Sequence, residues 1–570
     1  MNILTPATHL LLVILLPLAG SVVAWLMGSR GYRAVRQSAA ITAVVTLVAT
    51  GWLVFRFLEP STARTDSFAR VEIPWLVDGM FDIRLSLGLD GLSIWLFALS
   101  ALLSLTAVLV SWDAIKEKSV GFYVLLLLLE SAMLGVFAAQ DIILFYVFFE
   151  FTLVPLFFLI GIWGHEERRK AAIKFFIYTL TGSVLSFLGL LTIVLWHASQ
   201  TGTITFNIAG LTAGLQSHPL PMTAEGGWLQ WIVFLSLFAG FAVKVPIVPF
   251  HTWLPLAHVE APTGGSVDLA GVLLKIGIYG FLRFSLPMLP DASAAAAPWL
   301  VGLGVFGILY GALVALAQTD LKRLIAYSSV SHMGYIVLGL FALEPVAVEG
   351  ANLQLINHGL SSAGLFALVG MIYERFHTRS IPNLGGIATK APWLTVFFLL
   401  FTFSSIGLPG LNGFVGEFMI LAGSFQRAWT GVADSLFQPY LIMAVSAVFG
   451  VVLGAWYMLW AVERVFFGPL RQPPRESNDH QKSHDAPHVS GQCDIRWHEA
   501  AALIPLVVFV VWIGIVPQTF LRPSAPAIEF SAGAAREAFM IRMNALPQSV
   551  TKVPQVAFAP SHQVNPTQTP

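Results

Sequence analysis

Cysteine is almost missing from this chain: Cys493 is the only one in 570 residues. That excludes a disulfide framework and any four-thiolate iron–sulfur cluster held by this chain alone. Charge is scarce as well. Asp, Glu, Lys and Arg make up 11% of the residues, less than half of the roughly 25% usual in soluble domains. The 31 basic and 31 acidic side chains cancel, so there is no basic footprint for nucleic acid. No GxxxxGK[ST] phosphate loop occurs. No Lys or Arg lies between Met1 and His9, so the positive region of a cleaved signal is missing.

Apolar length is what the chain has in abundance. Hydrophobic residues are 56% of it and the mean hydropathy is +0.76. A spanning helix needs about 20 apolar residues, so a soluble enzyme and a disordered chain are both excluded. The runs are continuous rather than alternating, which excludes an outer-membrane barrel. Fourteen segments have spanning character: 8–27, 38–58, 91–112, 119–138, 141–163, 172–196, 228–255, 266–288, 297–317, 324–342, 351–374, 391–424, 440–465 and 501–521. The expected fold is therefore an all-α polytopic membrane protein.

Positive charge marks alternate loops. Arg30, Arg33 and Arg36 follow the first span, Lys116 and Lys118 the third, and Arg168, Arg169 and Lys170 the fifth. Lys322 and Arg323 follow the ninth, Arg375, Arg379 and Lys390 the eleventh, and Arg464, Arg471 and Arg475 the thirteenth. The stretches 197–227 and 341–350 have neither Lys nor Arg. The positive-inside rule then places the odd-to-even loops in the cytoplasm and both termini outside.

Two spans are over-long and interrupted, one by Pro246 and Pro249, the other by Gly407, Pro409 and Gly410. Their placement suggests two five-helix repeats of opposite topology, 119–290 and 291–465, each with a broken helix, a transporter design. A three-helix segment, 1–118, precedes them. A polar cytoplasmic loop at 466–500, a last span at 501–521 and a poorly ordered tail at 522–570 follow.

Charges inside apolar spans cost about 2.5–3.5 kcal/mol each at a helix centre and stay only if paired or useful. Five stand out: Glu130, Glu150, Lys244, Lys275 and Glu417, with His332 and His358 at similar depth. Lys244 immediately precedes the first break, where freed backbone needs a wet or protein-lined setting; a polar pocket is expected there. Acids, lysines and histidines spread over several helices suit a proton relay, against the plainer reading of static buried pairs that fix helix register. His480, His484, His488 and Cys493 are only loosely spaced like ligands, and a solvated polar loop is the better reading, with no metal site.

Several passages resemble one family: PFHTWLPLAHVEAPTGGSV with AGVLLKIGIYGFLRF, LFYVFFEFTLVPLFFLIGIWG, QTDLKRLIAYSSVSHMGY, INHGLSSAGLFALVGMIYERFHTR and LPGLNGFVGEFMIL. They are similar to the proton-translocating membrane subunits of respiratory complex I, the subunit M or chain 4 type, and to the related Mrp-type cation/proton antiporters. The resemblance covers about residues 80–470. It implies that Glu150 pairs with Lys244, that Lys275 is the central lysine, that His332 and His358 continue the axis and that Glu417 ends it. Two departures are Leu256, where the family usually has Asp, and Asp268, where it is usually apolar; Asp268 is a candidate to compensate for the lost acid. The resemblance further implies proton movement coupled to NADH oxidation and quinone reduction in other subunits. No flavin, nicotinamide or cluster site is found in this chain; FMN, iron–sulfur clusters and quinone are expected in partner subunits. Sister antiporter-like subunits and the bilayer are the expected partners, in a bacterial cytoplasmic membrane. An Mrp-type Na+/H+ antiporter subunit or the membrane arm of an energy-converting hydrogenase are the alternatives within this fold. A free-standing solute transporter would need a size-selective pocket, and the lysine–glutamate axis argues against it.

Overall fold

The computed structural model describes residues 5–59, 67–222, 227–430, 437–471 and 494–545. In chain order the helices are α1 (Pro6–Leu26), α2 (Tyr32–Phe57), α3 (Ile94–Val110), α4 (Ser119–Ala138), α5 (Ile142–Phe151), α6 (Leu153–Trp163) and α7 (Arg168–Thr201). Next come α8 (Ile208–Ser217), α9 (Leu229–Lys244), α10 (Trp253–Glu260), α11 (Thr263–Asp268), α12 (Leu274–Gly280) and α13 (Leu286–Met288). The chain continues with α14 (Pro290–Leu316), α15 (Leu321–Phe341), α16 (Pro345–Phe376), α17 (Pro392–Ser405), α18 (Asn412–Thr430), α19 (Phe437–Phe466), α20 (Trp497–Ile515) and α21 (Gln518–Ala545). Among the described residues, 11 helical stretches are long and apolar enough to cross a membrane. Ile94–Val110, Leu229–Lys244 and Pro392–Ser405 are shorter apolar helices. The fold is a mostly helical, polytopic membrane architecture.

Burial sorts the long helices. The stretch Thr263–Met288, α15 and α16 are almost wholly enclosed by protein, while α2 and α19 are largely uncovered. Trp25, Ile41, Val48 and Phe55 are among the large apolar side chains left exposed, as expected where the surroundings are hydrocarbon rather than water. α14 and α15 approach closely because Gly304 and Gly334 face one another: a Cβ on either would meet the other's carbonyl oxygen, the small-residue packing common between membrane helices. The G-x-G-x-x-G spacing at Gly302–Gly307 thus serves helix contact inside α14, not a strand–helix turn.

Breaks fall where backbone donors are missing. α5 gives way to α6 at Thr152. Pro155 has no N–H for the carbonyl of Phe151, one turn earlier, so Glu150 sits in the last turn before a proline-made break. Pro246 and Pro249 separate α9 from α10. Gly407 (φ +74°) and Gly410 (φ +92°) separate α17 from α18; both are in the left-handed region that glycine adopts without penalty. The helix carrying Lys275 is continuous from Thr263 to Met288, but π-helical at Leu269–Leu273 and again at Phe281–Ser285.

Two features correct the sequence reading. The link between the second and third spans is not a plain loop: β1 (Phe68–Val77) and β2 (Phe81–Leu89) form an antiparallel pair, and β2 pairs in parallel with the short β3 (Ile204–Thr205). Pro74 and two register shifts disguise β1, since proline inside a strand pattern argues against a strand. The tail expected from residue 522 is helical as far as Ala545 in α21, which packs on α13, α14 and α16. Its buried side chains Ile528, Ala532, Ala535, Phe539 and Met543 lie at helical spacing on one stripe, far narrower than the all-round apolar surface of a membrane span. Residues 546–570, and His480, His484, His488 and Cys493, lie outside the described residues.

Candidate functional site

Four of the expected residues form one file across α12, α16, α15 and α18, the first three within the most enclosed stretches. Lys275 Nζ on α12 lies 2.8 Å from His358 Nδ1 on α16. While Lys275 is an ammonium it can only donate, and His358 then accepts at Nδ1. The rings of His358 and His332 (α15) follow at 5.6 Å between centroids, inclined by 40°. His332 Nδ1 is 2.9 Å from Glu417 Oε1 on α18, and His332 Nε2 is 3.1 Å from Ser405 Oγ. Lysine, imidazole, imidazole and carboxylate thus run from α12 through α16 and α15 to α18.

Local structure aims each of them. The π-turn at Leu269–Leu273 displaces the regular ladder, as single-turn π-bulges do, and Lys275 Nζ donates to the Ala270 carbonyl within it. Glu417 is held from a second side by Gln354, whose Nε2 donates to Oε1 at 3.1 Å. Asn357 fixes Gln354 in turn, donating to its Oε1 at 3.0 Å and to the Asn412 carbonyl at 2.8 Å. Ser404 Oγ donates to Asn412 Oδ1 at 2.6 Å, so the first residue of α18 is tied across the break to α17. Glu417 Oε2 lies against Gly407, where a Cβ would come within 3.2 Å of it.

Glu150 and Lys244 stand apart from this file. They are electrostatic neighbours, yet neither Lys244 Nζ nor Glu150 Oε1 has a hydrogen-bond partner among the described residues. Lys244 Nζ lies instead over the Phe149 ring, 4.7 Å from its centroid, a cation–π contact. The polar pocket expected at the first break is not what opens there. A cavity of about 10 Å³ is lined by apolar residues including Val245, Ile247, Leu303, Met333 and Val337, at the lower limit for one water and without the polar partners a water needs.

Glu130 is fully buried on α4, outside the file, and Asp268 is fully buried at the end of α11. All four of their carboxyl oxygens lack hydrogen-bond partners among the described residues, and the Asp268 charge acts on Glu130. Leu256 is half-buried on α10.

Several buried polar side chains do not stand out in the sequence. Gln354 and Ser405 are polar contacts of the file, too ordinary in type to stand out. Lys322 has the sequence context of a loop charge but is 3% exposed, and donates to the Ala261 carbonyl at 2.6 Å. His258 lies within HVEAPT, which served as a family marker. It is fully buried, stacked on Phe366 at 4.5 Å and 10°, and neither ring nitrogen has a partner among the described residues.

Titratable side chains threaded through the enclosed core of a many-helix membrane fold define a class: an integral membrane protein with an internal charge-bearing axis. Comparison with known proteins sharpens this. Residues 139–438 match the family model described as NADH:quinone oxidoreductase/Mrp antiporter, TM. The chain is 40% identical over 524 residues to NADH-quinone oxidoreductase subunit M of Escherichia coli K12, covering 90% of this chain and 96% of that protein. It is 38% identical over 512 residues to NADH-ubiquinone oxidoreductase chain 4 of Marchantia polymorpha, covering 90% and 94%. A chain of respiratory complex I from Thermus thermophilus with bound NADH superposes with TM-score 0.75 at 30% identity, over 93% of this chain and 99% of that one. The Mrp complex from Dietzia shares the fold, with TM-score 0.73 at 21% identity. The chain belongs to the NADH:quinone oxidoreductase/Mrp antiporter membrane-subunit family.

Proposed function

We propose that this chain is a proton-pumping membrane subunit of an NADH–quinone oxidoreductase of the complex I kind. It sits multi-pass in the inner membrane beside other membrane subunits, and the redox chemistry belongs to its partners. The observation that carries the reading is the contact sequence Lys275–His358–His332–Glu417, hydrogen-bonded at both ends and joined by a ring contact in the middle. Each group in it exchanges a proton reversibly, and each is within one contact of the next. A static scaffold needs matched opposite charges; this file has one carboxylate for three basic groups.

The finer architecture belongs to the same reading. Three shorter apolar helices beside the 11 longer ones suit fourteen spans, two of them broken, in inverted five-helix repeats. The charge pattern of the loops puts the Arg168, Arg323 and Arg379 face in the cytoplasm. In this frame Glu150 and Lys244 are a second charged pair that bonds only transiently, Glu130 is a buried acid beside the axis, and Glu417 is the last carboxylate of the file.

The test is proton uptake into inverted membrane vesicles energised with NADH, normalised to assembled complex. Glu417→Gln and Glu417→Ala should lose most of the pumping, and Glu417→Asp should keep part of it. Wild-type pumping by an assembled Glu417→Ala complex would sink the reading.

A further inference from the structure

The file begins at Lys275, deep inside, and a proton has to reach it. Near Lys275, towards the arginine-rich face, the buried imidazole of His258 has free hydrogen-bonding capacity among the described residues. Its charged neighbours are Lys322 on one side and Lys275 on the other, and it acts electrostatically on His358 as well. Its ring is held in place without polar contacts, by the stack on Phe366, while its backbone carbonyl accepts from Ser266 Oγ at 3.2 Å. A neutral imidazole has one donor and one acceptor nitrogen, and neither has a partner among the described residues.

Lys322 occupies the next position outward. One of its three ammonium hydrogens goes to Ala261, and its charged neighbours are Arg379, Asp320 and Glu260. Glu260 stands at the rim, 6% exposed. Its Oε2 accepts from the Glu167 backbone at 2.9 Å and its carbonyl from the His165 backbone at 3.0 Å. Burial holds its carboxyl above the usual range, with the Glu167 N–H, Arg379 and Lys322 opposing and Glu167's charge adding to the rise. His165, beside the same rim, is held down to about 4 by burial and by Lys322 and Arg379, so it is neutral there.

We propose that Glu260, Lys322 and His258 form the proton-uptake route of this chain: Glu260 collects protons at the cytoplasmic mouth, Lys322 relays them, and His258 delivers them to Lys275 and His358. His258 takes the incoming proton on one nitrogen and releases the other nitrogen's proton inward, so its charge is restored after each transfer. The route rests on the proton-pumping reading and adds the side of the path that the file itself lacks.

Three variants test it in the assembled complex, with proton uptake into inverted vesicles and quinone reduction read across a range of pH. His258→Gln and Lys322→Met should each lower coupled turnover at least about tenfold, the scale on which a positioned proton-transfer group acts. Glu260→Gln should show a rate that falls more steeply with rising pH than wild type, because capture without the rim carboxyl becomes limiting as protons grow scarce. Glu260→Asp should restore the wild-type profile, which a purely structural role would not require. Lys275→Ala serves as the control. Loss of pumping in Lys275→Ala, combined with wild-type rates in His258→Gln and an unchanged pH profile in Glu260→Gln, would overturn the uptake route alone. Normal pumping in Lys275→Ala would overturn the proton-pump reading itself. Should His258→Gln not assemble, the Glu260→Gln pH profile decides by itself, since that side chain is at the rim.

Discussion

At Lys275 a single side chain has two acceptors, the Ala270 carbonyl and His358 Nδ1. It can give its proton to only one of them. Replacement by Arg keeps a cation but removes the proton exchange, because a guanidinium is effectively never deprotonated. Lys275→Arg is therefore expected to assemble, yet to lose coupled quinone reduction as severely as Lys275→Ala; full pumping by the Arg variant would show that a fixed charge suffices. Glu150 is subject to a different expectation. Its Oε1 and Lys244 Nζ have no hydrogen-bond partner among the described residues, and Tyr146 is a hydrogen-bonding neighbour of its side chain, so Glu150→Gln removes the attraction for Lys244 and keeps a polar group beside Tyr146. Assembly should survive while pumping collapses, and NADH-driven acidification of inverted vesicles distinguishes the two. The sequence displayed Lys275, His332, His358 and Glu417 because each interrupts an apolar run. It hid Lys322 by placing it beside Arg323 at a helix start, where it looks like a loop charge. It hid His258 inside a motif whose polar neighbours make a histidine unremarkable.

Among the elements, the two broken helices were readable from Pro246, Pro249, Gly407, Pro409 and Gly410, and the α5/α6 break follows from Pro155 by the same missing-donor logic. The π-turns were not readable. Leu269–Leu273 and Phe281–Ser285 have sequences that an ordinary α-helix would accept, and only tertiary contacts reveal the extra residue. The β1/β2 pair and α21 were missed because apolar length, the signal that finds spans, is weak in both. The Gly407 break makes a sharp prediction. Alanine there must adopt a left-handed φ, costing roughly 1–2 kcal/mol, and its Cβ would lie 3.2 Å from Glu417 Oε2. That pushes directly on the carboxylate bonded to His332. Gly407→Ala should therefore lower coupled turnover several-fold at unchanged assembly, while Gly410→Ala, with open space around its Cβ position, should bear only the backbone cost. Equal activities of the two variants in the NADH-driven assay would show that the contact with Glu417 is immaterial.

Across the whole molecule, the file joins helices from both halves: Lys275 on α12, and His332, His358 and Glu417 on α15, α16 and α18. The stretch Thr263–Met288, α15 and α16 are also the most enclosed, so the axis runs where protein rather than lipid surrounds every group. That enclosure bears on which ion moves. The Mrp relatives share the fold, and a sodium ion is the competing cargo. Hard cations are bound by cages of oxygen ligands from carboxylates, carbonyls and water. Lys275, His358 and His332 present nitrogens, and all three become cationic on protonation, so a metal cation in the file would be repelled by whichever of them holds a proton. NADH-driven acidification of inverted vesicles should therefore have the same initial rate in sodium-free potassium buffer as in sodium buffer. It should be abolished by a protonophore and should leave no sodium gradient behind. A rate that rises with sodium concentration and saturates would assign a sodium-binding step to this membrane arm, and repeating the measurement with Lys275→Ala would show whether that step passes through this chain.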